Sequence, residues 1–487
     1  MKVETKTIIC ETKKITVKTN ALSCALNLAE EAFDKILAVT ATVSSGECEI
    51  AGEEIVYGGT ANFNAIFSAE EPNRVEAGVK FTFKIPLEAG VTNASATYNI
   101  SDIKVKSDGG MLFAVCDLIS SLELIVREEK ESVSDGECLT QKETVSTLSR
   151  FLVKKEVTVD DEFTVRRVKR ALLGEANACI TDLKAEEDYV IVDGEVVLNV
   201  CLLPFSENSD ILKETRIIPF RFEVDAEGSG EGDRLCGRAQ VIKVALKIEI
   251  DEESDKATVF AAVNVDLCIE DHRPDRFSYI VDAFSKTHEL ILKREPIERL
   301  TGVTRSVENV RYNGKALKKA PEYSRLIKIV GERIEGYSAR NEKGSLSVDG
   351  ELSAYALFAD SDNAISSEKL VVPFSFTVSG DGDAEIFLES LNAKLRSGDI
   401  ECDANFKVVL TRTEKTVVDT VVSIEEGAER PVRDSAISVY LGKTGDSEWT
   451  VVKALGEDAE TIAALNPDVS YPLSGGERIV VFRKIQA

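Results

Sequence analysis

Histidine is nearly missing from this chain: its 487 residues hold two, His272 and His288, beside one tryptophan, Trp449, and two methionines. So few imidazoles leave no Ser-His-Asp or Cys-His arrangement to nominate. His272 sits in Glu270-Asp271-His272-Arg273-Pro274-Asp275. That run reads as charged turn residues just past a strand end rather than a metal or acid–base site. No C-x-x-C pair occurs among the ten cysteines, which are scattered singly from Cys10 to Cys402. Such spacing points to reduced thiols filling core positions. Long apolar runs are lacking too, and no window approaches the roughly 18 residues of a membrane span. Met1 to Thr19 alternates charged and apolar residues without an apolar h-region, so it does not read as a secretory signal. A cytoplasmic setting is the expectation.

Positive charge is also short, with 59 basic against 85 acidic residues and a formal net charge of −26. A field of that sign repels phosphate backbones and anionic lipid faces, arguing against nucleic acid and against direct membrane insertion. Gly228-Ser229-Gly230-Glu231-Gly232 fails the G-x-G-x-x-G spacing, and Asp381-Gly382-Asp383-Ala384-Glu385 lacks the closing glutamate of an EF loop. Neither a cofactor nor an enzymatic activity is expected.

What the chain does have is period-two alternation, rich in Val, Ile, Phe and Thr, the mark of half-buried strands of about 5–10 residues. Three segments share one punctuation. Glu54 to Gly59 leads to Lys84-Ile85-Pro86-Leu87, Tyr189 to Gly194 to Ile217-Ile218-Pro219-Phe220, and Leu346 to Gly350 to Val371-Val372-Pro373-Phe374. Ile100 to Lys106 then matches Gln240 to Lys247 and Glu389 to Leu395. Further alternating strands follow at Met111–Leu118, Ala257–Cys268 and Ile400–Leu410, with leading strands around Thr7–Thr19, Phe151–Asp160 and His288–Glu298. Proline has no NH to donate, which places each Pro-containing strand at an edge or a bulge. Turn residues cluster at Glu207-Asn208-Ser209-Asp210 and Asp360-Ser361-Asp362-Asn363. Helical periodicity shows only at Leu26–Leu37 and near the C-terminus. The expected fold is mainly β: three tandem antiparallel β-sandwich or open-barrel-like repeats (1–135, 136–283, 284–430) and a small C-terminal βααβ domain (434–487).

That last segment holds Ile437-Ser438-Val439-Tyr440, then Gly445-Asp446-Ser447-Glu448-Trp449, Leu465-Asn466-Pro467-Asp468, and Leu473 to Val481. It resembles a LysM module, a class that binds glycan walls or protein partners and catalyses nothing. Trp449, Val452, Leu455, Ile462, Leu465 and Ile479 are its expected core. The two turns, Gly445-Asp446-Ser447 and Asn466-Pro467-Asp468, bracket the groove where such modules take glycan. Both are equally ordinary helix-start signals. Ile437, at the start of the first strand, and Trp449, if not wholly packed, are candidate partner contacts.

Repeated β-rich domains followed by one LysM-like end resemble the SipL-like family of clostridial spore coat morphogenetic proteins. Phe33-Asp34-Lys35-Ile36-Leu37-Ala38-Val39 and Val281-Asp282-Ala283-Phe284-Ser285 add to the likeness. The chain departs from the pattern in Glu448, where an apolar residue is usual. The resemblance implies a non-enzymatic adaptor in the mother-cell cytoplasm, at the forespore surface. Its LysM-like end would bind the coat's basement-layer ATPase, and the β bodies would extend its reach. A wall protein binding peptidoglycan or another N-acetylglucosamine glycan is the alternative. An unfolded C-terminal segment, or a polar cleft with clustered ionisable groups within the β bodies, would overturn a purely adhesive role.

Overall fold

A computed structural model describes residues 2–26, 35–68, 71–108, 111–205, 210–251, 253–322, 324–361, 364–431 and 436–482. Residues Phe33 and Asp34 and the turns at Glu207–Ser209 and Asp362–Asn363 therefore lie outside the described residues. The chain is mainly β, with several antiparallel sheets. Its first six strands are β1 (Val3–Leu26), β2 (Lys35–Ala51), β3 (Glu54–Ser68), β4 (Asn73–Pro86), β5 (Val91–Asp108) and β6 (Met111–Gly136). Next come β7 (Leu139–Arg166), β8 (Val168–Glu186), β9 (Tyr189–Pro204), β10 (Leu212–Asp225), β11 (Arg234–Ile250) and β12 (Lys256–Phe284). The third set is β13 (His288–Lys315), β14 (Arg325–Glu342), β15 (Ser345–Ala359), β16 (Ile365–Ser379), β17 (Asp383–Arg396) and β18 (Asp399–Glu429). The segment Leu26–Leu37 is not a helix where it is described: Leu26 closes β1, and Lys35 opens β2.

Each set forms two three-stranded sheets in one order, β1-β6-β5 with β2-β3-β4, β7-β12-β11 with β8-β9-β10, and β13-β18-β17 with β14-β15-β16. The inner faces of each pair bury a core, which in the first set is divided into two clusters. Pro219 and Pro373 lie on the outer strands β10 and β16. The glycine of the shared punctuation makes room for an aromatic ring on the next strand. Gly194 pairs with Phe220 and Gly350 with Phe374, and a Cβ on Gly194 would stand 2.2 Å from the Phe220 ring. In the first set the partner of Gly59 is Phe81, while Pro86 falls opposite Glu54 at the strand end. The Ile-Pro-Leu run there is thus not the counterpart of the other two; the aromatic marks the register, and the proline does not.

The strands of the three sets run 14 to 31 residues, well beyond the expected length. The longest serve two layers. Cys24 and Leu26 at one end of β1 join the first core, whereas Ile8 and Cys10 pack with Val145, Phe277 and Tyr279 of the second set and Ile297 and Val418 of the third. Val133, Ile280 and Val421 form a neighbouring three-set layer. A separate junction gathers Leu37 and Ile66, Leu172 and Leu203, and Val330 and Leu357, again from all three sets. Gly331, at φ +66°, lets this junction close, since a Cβ there would lie 2.7 Å from Thr40 Cγ2. The expectation that the bodies extend the reach of the C-terminal end is corrected here: they pack against one another, because each carries apolar residues that its own sandwich does not cover.

The chain ends in β19 (Ile437–Leu441), α1 (Glu448–Leu455), α2 (Ala459–Leu465) and β20 (Arg478–Phe482). Val451, Val452, Leu455, Ile462, Leu473, Ile479 and Val481 form its core, with Leu139 of the body packed against it. Leu465, expected inside, is 40% exposed. Among the described residues no helix is long and apolar enough to cross a membrane.

Candidate functional site

The C-terminal unit is held in shape by its own turns. Gly445, at φ +89°, reverses the chain after β19. Asp446 accepts from Tyr440 Oη (2.6 Å) and from the Lys443 amide (2.8 Å). Ser447 is the N-cap of α1 and accepts from the Thr450 amide, and Glu448 gives the first turn a favourable negative charge. Asp458, unnoticed in the sequence, caps α2 in the same way.

Asn466 follows α2 rather than opening a helix. Its Nδ2 donates to the carbonyls of Ile462 (2.8 Å) and Val480 (2.9 Å), while Oδ1 accepts from the Val480 amide (2.9 Å). This correction has a clear cause, because amide side chains close helix ends and bridge to strands as readily as they start helices. Asp446, Ser447 and Asn466 are therefore spent inside the unit. Pro467 and Asp468 are exposed on the turn beyond.

Trp449 is half-buried. Its Nε1 donates to Asp282 Oδ2 (2.9 Å), and Lys453 Nζ reaches the same oxygen (2.7 Å). Burial pushes the Asp282 carboxyl up, but those two donors more than offset it and hold it below the usual carboxylate range. Lys286 pairs with Glu457 alongside (2.8 Å). Trp449 thus joins the cap to the body.

The opposite face of the cap is different. On the paired strands, Tyr440, Ile479 and Val481 point to the helices, so Ile437, Val439, Leu441 and Phe482 point away. These four are 56%, 59%, 62% and 61% exposed. Val480 completes the face between Val439 and Phe482, and Arg478 stands opposite Leu441. The structure brings Ile437 together with Val439, Leu441 and Phe482, which strict alternation in Ile437–Leu441 could have indicated.

A second feature lies where the three sets meet, a cleft of about 720 Å³. On the second set its wall includes Arg150, His272, Glu270, Cys236, Cys268 and Arg238, placed by register: Arg150 and Arg234 flank His272, Leu152 and Cys236 flank Glu270, and Lys154 and Arg238 flank Cys268. From the first set, Lys13 bridges Glu123 (2.7 Å) and Glu270 (3.3 Å). Arg238 approaches Glu123 (3.4 Å) and donates to Ser95 Oγ (3.0 Å). Arg150 approaches Glu270 (3.5 Å). Burial raises the Glu270 carboxyl, but Lys13 and Arg150 outweigh it and hold it low. On the third set, burial pushes Glu385 up against the opposing pull of Arg238, Arg305 and Lys13.

His272 is consequently not past a strand end: it lies inside β12 and is 3% exposed. The alternation seemed to stop at Cys268 because the inward face turns polar there. The ionisable cluster named above as contrary to a purely adhesive role is present, with many of its charges paired across the first and second sets. All ten cysteines are unpaired, and burial pushes the thiols of Cys179, Cys201 and Cys236 up to about 12.

The chain matches no protein-family model, no curated protein and no solved structure.

Proposed function

We propose that this chain is a non-enzymatic assembly adaptor, built from three tandem copies of one β module and ending in a LysM-like docking unit. The observation that carries this reading is the outer face of β19 and β20, where Ile437, Val439, Leu441 and Phe482 stand together in solvent. Exposed apolar side chains clustered on one face favour a protein partner. The inward use of Asp446, Ser447 and Asn466 weighs against peptidoglycan or another N-acetylglucosamine glycan, whose hydroxyls need free donors and acceptors. The resemblance to the SipL-like family implies the partner that this reading proposes: the basement-layer ATPase of the spore coat, met in the mother-cell cytoplasm at the forespore surface.

Immobilised full chain exposed to purified ATPase and, separately, to peptidoglycan tests the reading. The ATPase should be retained, and Ile437→Arg should weaken retention by about 2 kcal/mol, roughly 30-fold, as loss of a central contact does. Retention of peptidoglycan without the ATPase reverses the proposal.

A further inference from the structure

We propose that Cys236, Glu270 and His272 hold a zinc-class divalent cation on the wall of the central cleft. Register puts the three on one face, since Cys236 pairs directly with Glu270 and His272 lies two residues further along β12. Their ligating atoms, Sγ, a carboxylate oxygen and a ring nitrogen, all lie within 4.8 Å of one another. A tetrahedral zinc with ordinary bond lengths needs its ligands about 3.5 Å apart, a contraction that side-chain rotation can supply. Among the described residues no other such group of His, Cys, Asp and Glu occurs.

The hydrogen bonding of His272 points the same way. Its Nδ1 lies 3.2 Å from the Arg234 carbonyl, which can only accept, so Nδ1 carries the proton. The lone pair of Nε2 then faces Glu270 Oε2 at 3.5 Å, an oxygen that Arg150 Nη1 also approaches at 3.5 Å, and a cation shared by Nε2 and the carboxylate relieves the clash of the two acceptors. A ring nitrogen that donates to a backbone carbonyl while the other binds metal is the usual support for a metal-bound histidine. Lys13 on Glu270 Oε1 orients the carboxylate in the same manner. On binding, the Cys236 thiol releases its proton to solvent and the sulfur becomes a thiolate ligand. Cys, Glu and His fill three positions, and the fourth opens to the cleft.

Cobalt serves as a visible stand-in for zinc. Chelator-treated full chain titrated with Co²⁺ should take up one equivalent, with a thiolate-to-cobalt charge-transfer band and the absorption of tetrahedral coordination. Added Zn²⁺ should bleach both. The band should vanish in Cys236→Ser and His272→Ala and persist in Cys268→Ser, which lines the same cleft. A band that survives in Cys236→Ser, or none in the folded native chain, overturns the proposal. Native mass spectrometry of the unsubstituted chain gives a reading free of any folding defect: one Zn²⁺ should be retained per chain, and none retained refutes the site.

Discussion

The β body and the cap cover their apolar residues in opposite ways. In the body, what one sandwich leaves exposed its neighbours bury, as Leu37, Leu172 and Val330 from three sets do in a single junction. The cap is too small to do this. Seven buried residues make its core, its contact with the body includes the polar link from Trp449 and Lys453 to Asp282, and among the described residues one sheet face stays uncovered. Area explains the difference, since a short segment cannot wrap both faces of its own sheet. An apolar residue in the body therefore reports on folding, and one on the outer face of the cap reports on association.

The comparison breaks most sharply at Leu172, which is fully buried where the three sets meet. Leu172→Asp places a carboxylate in an apolar junction and should cost about 3–5 kcal/mol, seen as a lower midpoint in denaturant. Glu335 is next. It accepts from Arg333 (2.7 Å) and Ser353 (2.9 Å), and through Oε1 from the Asp102 amide of the first set (2.8 Å). Burial raises its carboxyl, but Arg333, then Lys369 and the Asp102 amide, outweigh that and lower it from 4.5 to about 2. A depressed folded value stabilises above the unfolded one, so this contribution should be whole above pH 4.5 and fade towards pH 2. Partial solvent contact screens it to about 2 kcal/mol. Glu335→Gln should flatten stability against pH across that window.

Asp282→Asn should cost about 1 kcal/mol by weakening the hold of the cap. Trp449 is the sole tryptophan, so its emission reads that release directly. The native chain should lose the same hold on acidification, because the Asp282 carboxyl is also depressed and its stabilisation disappears as pH falls. Smallest of all, Ile437→Arg should leave stability within about 0.5 kcal/mol while removing partner retention. A large fall in melting temperature there would mean that the outer face is covered by the protein itself.

Strand positions were legible wherever one face is apolar, because alternation registers burial on a single side. Strand ends were not. Beyond Cys268 the inward residues of β12 are Glu270 and His272, and a polar inward face looks like a turn when read along the chain. The cap showed its βααβ order and its Ser447 cap in local spacing. Its outer face needed Phe482, which sits opposite Ile437 only once the strands pair. Local alternation and capping chemistry, which act over a few residues, were enough to set the β class, the edge strands holding Pro219 and Pro373, and the helical starts of the cap. The convergence of three bodies, the trio of Cys236, Glu270 and His272, and the tether from Trp449 to Asp282 join residues far apart in the chain, and only folded register and packing bring them within reach.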